Sequence, residues 1–230
     1  MLKDALMETL WPTRCAVCDR PGTVLCEPCA RSLEYIDTCK CCPICGSPFG
    51  LIQCTDCASN ALEVETAPAF SSCMSLTRYE GGAAKVIRTY KDGGERRLDA
   101  EIARLLARCV PPSWIDGSDA VCAIPPSRNA YSKRGFDHMG PVAAAFSEMT
   151  GVPVISPLRA LDAADQRALG RSGRRRNMKH AFLARSPEGN RKSVLLIDDV
   201  YTTGATLAAA SQTLLASGAR GVRCLTFARA

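Results

Sequence analysis

Residues 194–206 read Val-Leu-Leu-Ile-Asp198-Asp199-Val-Tyr-Thr202-Thr203-Gly204-Ala205-Thr206. A short apolar run, which reads as a buried strand, ends in two adjacent acids, passes through a turn of small residues and enters a helical segment. Two carboxylates at a strand end are costly to bury unless something polar meets them. They suit sugar hydroxyls, and they can help to hold a hydrated magnesium ion. Thr202 to Thr206 offer hydroxyls and backbone N–H groups at a helix start, a ready site for a phosphate monoester. Gly204 lets the backbone approach a ligand closely. Carboxylates for hydroxyls beside a cradle for phosphate describe a ribose 5-phosphate site. The plainer reading is an ordinary strand–turn–helix in which Asp198 and Thr203 cap the helix. Two like charges side by side also repel in an empty pocket, so removing one should leave stability unchanged or raise it.

A second kind of chemistry lies near the N-terminus. Ten of the fourteen cysteines fall between Cys15 and Cys57, and eight of these form one short unit used twice. Cys15-x2-Cys18 is followed after seven residues by Cys26-x2-Cys29, and Cys42-x2-Cys45 after eight by Cys54-x2-Cys57. A Cys-x2-Cys knuckle delivers two thiolates from one tight turn, and two knuckles complete the tetrahedron that zinc prefers. Two structural zinc ions are expected, with redox dithiols or an iron–sulfur cluster as the alternatives. Gly46, directly after its knuckle, suits a positive φ. Cys39 and Cys41 leave the second ligand set open, since Cys39 and Cys42 are also spaced by two residues. Four-cysteine sites have no open coordination position, so the metals should be structural. Cys73, Cys109, Cys122 and Cys224 stand singly and read as small buried hydrophobes.

These groups need a scaffold. At 47% apolar and 23% charged residues, the chain has the composition of a folded protein with a substantial core. Strands are expected over 70–78, 120–124, 152–156, 194–197 and 222–227, and helices over 83–90, 98–109, 141–150 and 205–217. Strands apolar on both faces, alternating with helices, give an α/β fold around a mostly parallel sheet. The expected organisation is a double zinc-ribbon module over 1–60, a connector over 61–69 and the α/β domain over 70–230. The N-terminal residues lack an uninterrupted apolar stretch, and about 18 apolar residues never run together, so neither a secretion signal nor membrane insertion is expected. Leu2, Leu6 and Leu10 mark one helical face suited to packing on the next domain. A cytoplasmic setting, where thiols stay reduced, fits this cysteine usage. Residues 126–192 carry thirteen basic and five acidic side chains, against five and seven in residues 1–60. That asymmetry points to a phosphate-bearing partner for the second half, or to a solvated basic face.

The run at 194–206 closely resembles the thirteen-residue PRPP-binding signature of type I phosphoribosyltransferases, where PRPP is 5-phosphoribosyl-1-diphosphate. More of the chain resembles one branch of that superfamily. The cysteine block, Tyr79, Tyr90-Lys91, Ile124-Pro125-Pro126, Arg134-Gly135-Phe136, Gln166 to Leu169, Arg175-Arg176-Asn177 and Ala181-Phe182 look like the ComF family of competence proteins. The resemblance implies a double zinc ribbon joined to a phosphoribosyltransferase fold, and a link to DNA uptake in natural transformation. One departure is visible: the family usually continues Arg-Gly-Phe with Asn-Gln, and this chain has Asp137-His138.

On that resemblance, Asp198 and Asp199 are the catalytic acids, and they bind PRPP together with Thr202, Thr203, Gly204, Ala205 and Thr206. Magnesium would accompany PRPP. Ser127 and Arg128, in the segment after an early core strand, match the loop that holds the diphosphate, and Arg134 is a second phosphate candidate. The basic stretch between Leu158 and Phe182, with Arg174, Arg175, Arg176 and Lys179, matches a lid that closes over PRPP. The same charges could hold a nucleic-acid backbone, or form a solvated loop. His138 and His180 are read as solvent-facing or hydrogen-bonding. The leading expectation is phosphoribosyl transfer. The rival is a non-catalytic module that contacts single-stranded DNA or a helicase partner and senses PRPP, and a third reading is a PRPP-binding regulator.

Overall fold

The computed structural model describes residues 12–57, 68–161 and 181–230. Five parallel strands form the central sheet: β1 (Ser72–Arg78), β2 (Ala120–Ala123), β3 (Val154–Ile155), β6 (Ser193–Tyr201) and β7 (Gly221–Arg229). Their spatial order is β1-β7-β6-β2-β3. Between β3 and β6 lies a small antiparallel pair, β4 (Leu158–Ala160) with β5 (Phe182–Ala184). The stretch expected to act as a lid therefore begins and ends in paired strands, while Arg174, Arg175, Arg176, Lys179 and His180 lie outside the described residues. So do Leu2, Leu6 and Leu10.

The longer helices are α2 (Gly81–Lys91), α3 (Leu98–Cys109), α6 (Met139–Thr150) and α7 (Ala205–Ala216). Three short ones, α1 (Glu27–Arg31), α4 (Pro112–Asp116) and α5 (Arg128–Arg134), have no apolar periodicity and escape a sequence reading. Alternation along β6 divides the core between the two faces of the sheet. Leu195 and Ile197 face a cluster with Ile87, Ile102, Met139 and Phe146 from α2, α3 and α6. Val194 and Leu196 face Leu207, Ala210 and Leu214 of α7 on the other side. The expected mostly parallel sheet flanked by helices is what the chain builds.

Two expectations are corrected. The acids do not end the strand: β6 runs through them to Tyr201, because Asp198, Val200 and Tyr201 continue the ladder opposite Thr226, Ala228 and Arg229 of β7. Cys109 is exposed rather than buried, since it lies in the last turn of α3 away from the sheet. Cys73, Cys122 and Cys224 are buried as expected.

The cysteine-rich segment closes the sheet edge at β1. The N–H of Ile36 donates to Leu76 O at 3.0 Å, that of Arg78 to Glu34 O at 2.9 Å, and that of Cys73 to Ile44 O at 2.7 Å. An edge strand otherwise presents unpaired polar groups that invite another chain. The first cysteine unit adds Cys15, Leu25 and Leu33 to the core on the α3 face, while Cys42 and Cys45 join the α7 face. Among the described residues no helix is long and apolar enough to cross a membrane.

Leu195, fully buried at the centre of the sheet, sets the scale of this core. Leu195→Ala should cost about 2–5 kcal/mol, whereas Ile52→Ala, at an almost fully exposed position, should stay within about 0.5 kcal/mol. Urea denaturation of the two variants measures both.

Candidate functional site

The strand order reverses between β2 and β6. From β2 the chain moves outward through α6 to β3, and from β6 it moves the opposite way through α7 to β7. Because α6 and α7 cover opposite faces of the sheet, the carboxyl ends of β2 and β6 form the topological switch point of the fold. In open parallel sheets this is where ligands bind. The Ile124 N–H donates to Ile197 O at 3.0 Å, so residues 125–128 leave the sheet beside Asp198.

Asp198 and Asp199 are both almost fully buried there. Their surroundings differ. Asp199 Oδ2 pairs with Lys91 Nζ at the end of α2 and lies 2.9 Å from His138 Nε2. His138 Nδ1 is 3.1 Å from Arg134, and its carbonyl accepts a hydrogen bond from the Tyr90 hydroxyl. Asp198 Oδ1 accepts only the neighbouring Asp199 N–H, at 2.9 Å, among the bonds of its side chain in the described residues. Burial and the adjacent Asp199 charge push the Asp198 carboxyl far above the usual range. Burial acts on Asp199 in the same direction, but His138 and the Lys91 charge outweigh it and hold Asp199 low. One buried acid is thus neutralised by partners, and the other waits for one.

The structure brings Asp198, Asp199 and Arg134 together with two residues that sequence reasoning left aside. His138 is buried and hydrogen-bonded, one of the two roles expected for it. Lys91 entered only through the resemblance. Nothing local could reveal either, since both reach Asp199 across long sequence separations. Asp137 has its own duty: Oδ1 accepts the N–H groups of Met139 and Gly140, at 3.0 and 3.1 Å, and so starts α6.

At the other side of the switch point, Tyr201 ends β6 and Ala205 begins α7. Thr202, Thr203 and Thr206 are exposed around that helix start, whose first N–H groups have no partner within the helix. Gly204 has φ of 76°, and a Cβ there would lie 2.6 Å from Tyr201 Cζ. Glycine is required here by backbone conformation and by the tyrosine ring. Ser127 Oγ accepts the Ala130 N–H at 3.2 Å and caps α5, whose first residue is the exposed Arg128.

The cysteines gather into two groups, Cys15, Cys18, Cys26 and Cys29, and Cys42, Cys45, Cys54 and Cys57, with all Sγ atoms of a group within 4.8 Å. Cys39 and Cys41 stay out of the second group; Cys41 Sγ instead donates to Asp37 O at 3.2 Å. Observed Sγ separations are 3.7 Å for Cys18–Cys26, 3.8 Å for Cys42–Cys57 and 3.5 Å for Cys45–Cys54. Zinc about 2.3 Å from each sulfur of a tetrahedron sets the sulfurs about 3.8 Å apart, so both groups fit the ion. Burial raises the Cys42 thiol, but N–H groups of Cys45 and Ile44 bring it down to about 7. Burial and the neighbouring thiols push Cys57 well up. Four thiolates this close need a cation between them. Gly46 has φ of 71°, as expected.

No protein-family model matches the chain. Over 226 residues it is 26% identical to the DNA utilization protein YhgH of Salmonella typhi, covering 92% of this chain and 95% of that protein. Over 200 residues it is 25% identical to competence protein ComFC of Bacillus subtilis (strain 168), covering 86% of this chain and 81% of the other. Among solved structures, glutamine phosphoribosylpyrophosphate amidotransferase from B. subtilis, complexed with ADP and GMP, is similar at 18% identity and a TM-score of 0.41. That likeness covers 57% of this chain and 26% of the other. The two curated relatives bear out the ComF resemblance along most of the chain.

The unequal acids give opposite expectations for two conservative variants. Asp198 holds a proton in the folded state more tightly than in the unfolded one, so its favourable contribution is present at low pH and lost as pH rises through its raised value. Asp198→Asn should therefore match the parent only below about pH 4, where the unfolded carboxyl is also protonated, and gain melting temperature relative to it as pH rises to about 8. Asp199 contributes above the ordinary carboxylate range, and loses that contribution only as pH falls through its depressed value. Asp199→Asn strands Lys91 and should cost about 3 kcal/mol near neutral pH. Thermal unfolding of both variants across this range decides whether the acids differ as their contacts imply.

Proposed function

We propose that this relative of the ComF competence proteins binds PRPP with magnesium at the carboxyl ends of β2 and β6, and that it transfers the phosphoribosyl group. The observation that carries the reading is the pairing of a buried carboxyl, Asp198, whose side chain among the described residues accepts only the adjacent Asp199 N–H, with a helix start a few residues on, both at the point where the strand order reverses. Asp198 and Asp199 would fix the ribose through its 2- and 3-hydroxyls. Thr202, Thr203, Gly204, Ala205 and Thr206 would hold the 5-phosphate on the first turn of α7. Arg128 and Arg134 would meet the diphosphate on the β2 side. The oxygen donors of the two acids suit magnesium, which would neutralise the diphosphate when bound. Departure of pyrophosphate leaves positive charge on the ribose ring, and fixed carboxylates stabilise it.

The cysteine groups are read as two structural zinc sites, which fold the N-terminal segment against the sheet edge. The organisation is then a double zinc-ribbon module over 1–60, a connector over 61–69 and a phosphoribosyltransferase-like domain over 70–230. The relatives' names favour a second reading on the same pocket, in which PRPP is sensed by a protein that handles DNA in natural transformation, in the cytoplasm. Arg174, Arg175, Arg176 and Lys179 would then contact single-stranded DNA or serve beside a helicase partner.

Purified protein should contain about two zinc ions per chain, and Cys18→Ser and Cys45→Ser should each lose about one. Elemental analysis near zero would remove the zinc reading. Asp198→Asn should keep its fold yet bind PRPP and magnesium roughly tenfold or more weakly in isothermal titration, because an amide nitrogen replaces a carboxyl oxygen that would accept from a ribose hydroxyl or meet the cation. A parent chain that binds no PRPP contradicts the pocket. Pyrophosphate release with a candidate acceptor separates transfer from sensing. If the basic stretch contacts DNA, each Arg→Gln or Lys→Gln replacement there should flatten the salt dependence of single-strand affinity by just under about one unit of log–log slope.

A further inference from the structure

One buried cation ties the second cysteine group to the phosphate loop. Arg229, in β7, is almost fully buried. Its NH1 donates to Cys45 O at 2.8 Å, and its NH2 pairs with Asp56 Oδ2 at 2.6 Å and approaches Cys45 Sγ at 3.8 Å. Asp56 lies inside the knuckle between Cys54 and Cys57, so the guanidinium bridges both knuckles of that group. The same guanidinium stacks 4.0 Å above the Tyr201 ring. Tyr201 is the register partner of Arg229 across β6 and β7, and its own carbonyl accepts the Ala230 N–H at 2.9 Å. The far end of the tyrosine ring fills the space where a side chain at Gly204 would stand.

The chain of contacts is short and continuous: both knuckles, Arg229, the Tyr201 ring, then the backbone of Gly204. Each link is rigid. The guanidinium is planar and held on three sides, the tyrosine ring is pressed between Arg229 and Gly204, and Gly204 is fixed in the left-handed region. A lysine could not make the same contacts, because its compact ammonium lacks the planar fork whose face lies on the Tyr201 ring while two separate nitrogens reach Cys45 O and Asp56 Oδ2. The second knuckle pair is further pinned to β1: a Cβ on Gly46 would lie 2.6 Å from Cys73 O.

We propose that Arg229 is a positioning residue, through which metal occupancy of Cys42, Cys45, Cys54 and Cys57 sets the conformation of the 202–206 phosphate loop. The proposal rests on the reading of this group as a zinc site and of the loop as the phosphate cradle. Zinc fixes the position of Cys45 O and of Asp56; Arg229 transmits that position to Tyr201; Tyr201 holds the start of α7 in the form that presents its N–H groups. Loss of zinc releases the loop without any change at Asp198 or Asp199.

The test uses the zinc-loaded full chain, its Arg229→Gln variant and its Asp56→Asn variant. Amide hydrogen exchange over 202–206 reports the loop without any ligand. In Arg229→Gln it should rise by about fivefold or more, with zinc content held at the parent's value, and PRPP affinity should fall by a similar factor. Asp56→Asn should move both readouts in the same direction by less. Coupling is reciprocal, so saturating PRPP should slow zinc loss to a chelator in the parent and leave it unchanged in Arg229→Gln. Exchange over 202–206 that stays at the parent's rate in a variant retaining zinc overturns the proposal. Asp56 is half exposed, so its variant decides the matter should Arg229→Gln not fold. A parent that binds no PRPP sinks the proposed pocket, while the exchange measurement still tests the strut.

Discussion

Placing two carboxylates next to each other inside a parallel sheet costs free energy that the strand itself cannot return. Asp198 and Asp199 are both buried, and neighbouring anions in such a medium do not ionise together. The surrounding structure resolves the conflict on one side only. The last residue of α2, Lys91, and the residue before α6, His138, converge on Asp199. Two helices from distant parts of the chain are thereby tied to one acid, while Asp198 keeps a carboxyl with no cation paired to it among the described residues. A site strained in this way is stabilised by whatever supplies hydroxyls or a cation, which is how binding energy becomes specific to the ligand.

The same economy explains the cysteine-rich segment. Residues 12–57 hold few large apolar side chains, too few to fold alone without staples. Their hydrogen bonds to β1 and their apolar residues on both faces of the sheet make them part of the domain's edge. Arg229 then joins that edge to the loop that begins α7. A cysteine group far from the acids in sequence ends up one aromatic ring away from the start of α7.

The sequence made the strong local patterns legible. The cysteine spacing separated the two groups, and the run from Val194 to Thr206 placed two acids before a helix start. The α3 helix was readable residue for residue, because its apolar positions recur with the helical period. What stayed hidden depends on tertiary contacts. The strand continues past Asp199 because β7 lies beside it, not because of any propensity in Asp-Asp. Cys42 rather than Cys39 joins the second group because Cys41 and its neighbours turn toward Asp37. Lys91, His138 and Arg229 have no local signature, since each meets its partner through the fold. The pair Asp137-His138, which departs from the family's Asn-Gln, starts a helix and braces an acid in the structure.

The most direct measurement is a crystal structure of the zinc-loaded chain with PRPP and magnesium. The expected result is the 5-phosphate on the first turn of α7, within hydrogen-bond reach of the N–H groups of residues 203–206, and the ribose hydroxyls on Asp198. The contrary result is a switch point that stays empty while the phosphates sit elsewhere, for example in the cavity of about 530 Å³ lined by Arg31, Arg104 and Arg108 beside α3.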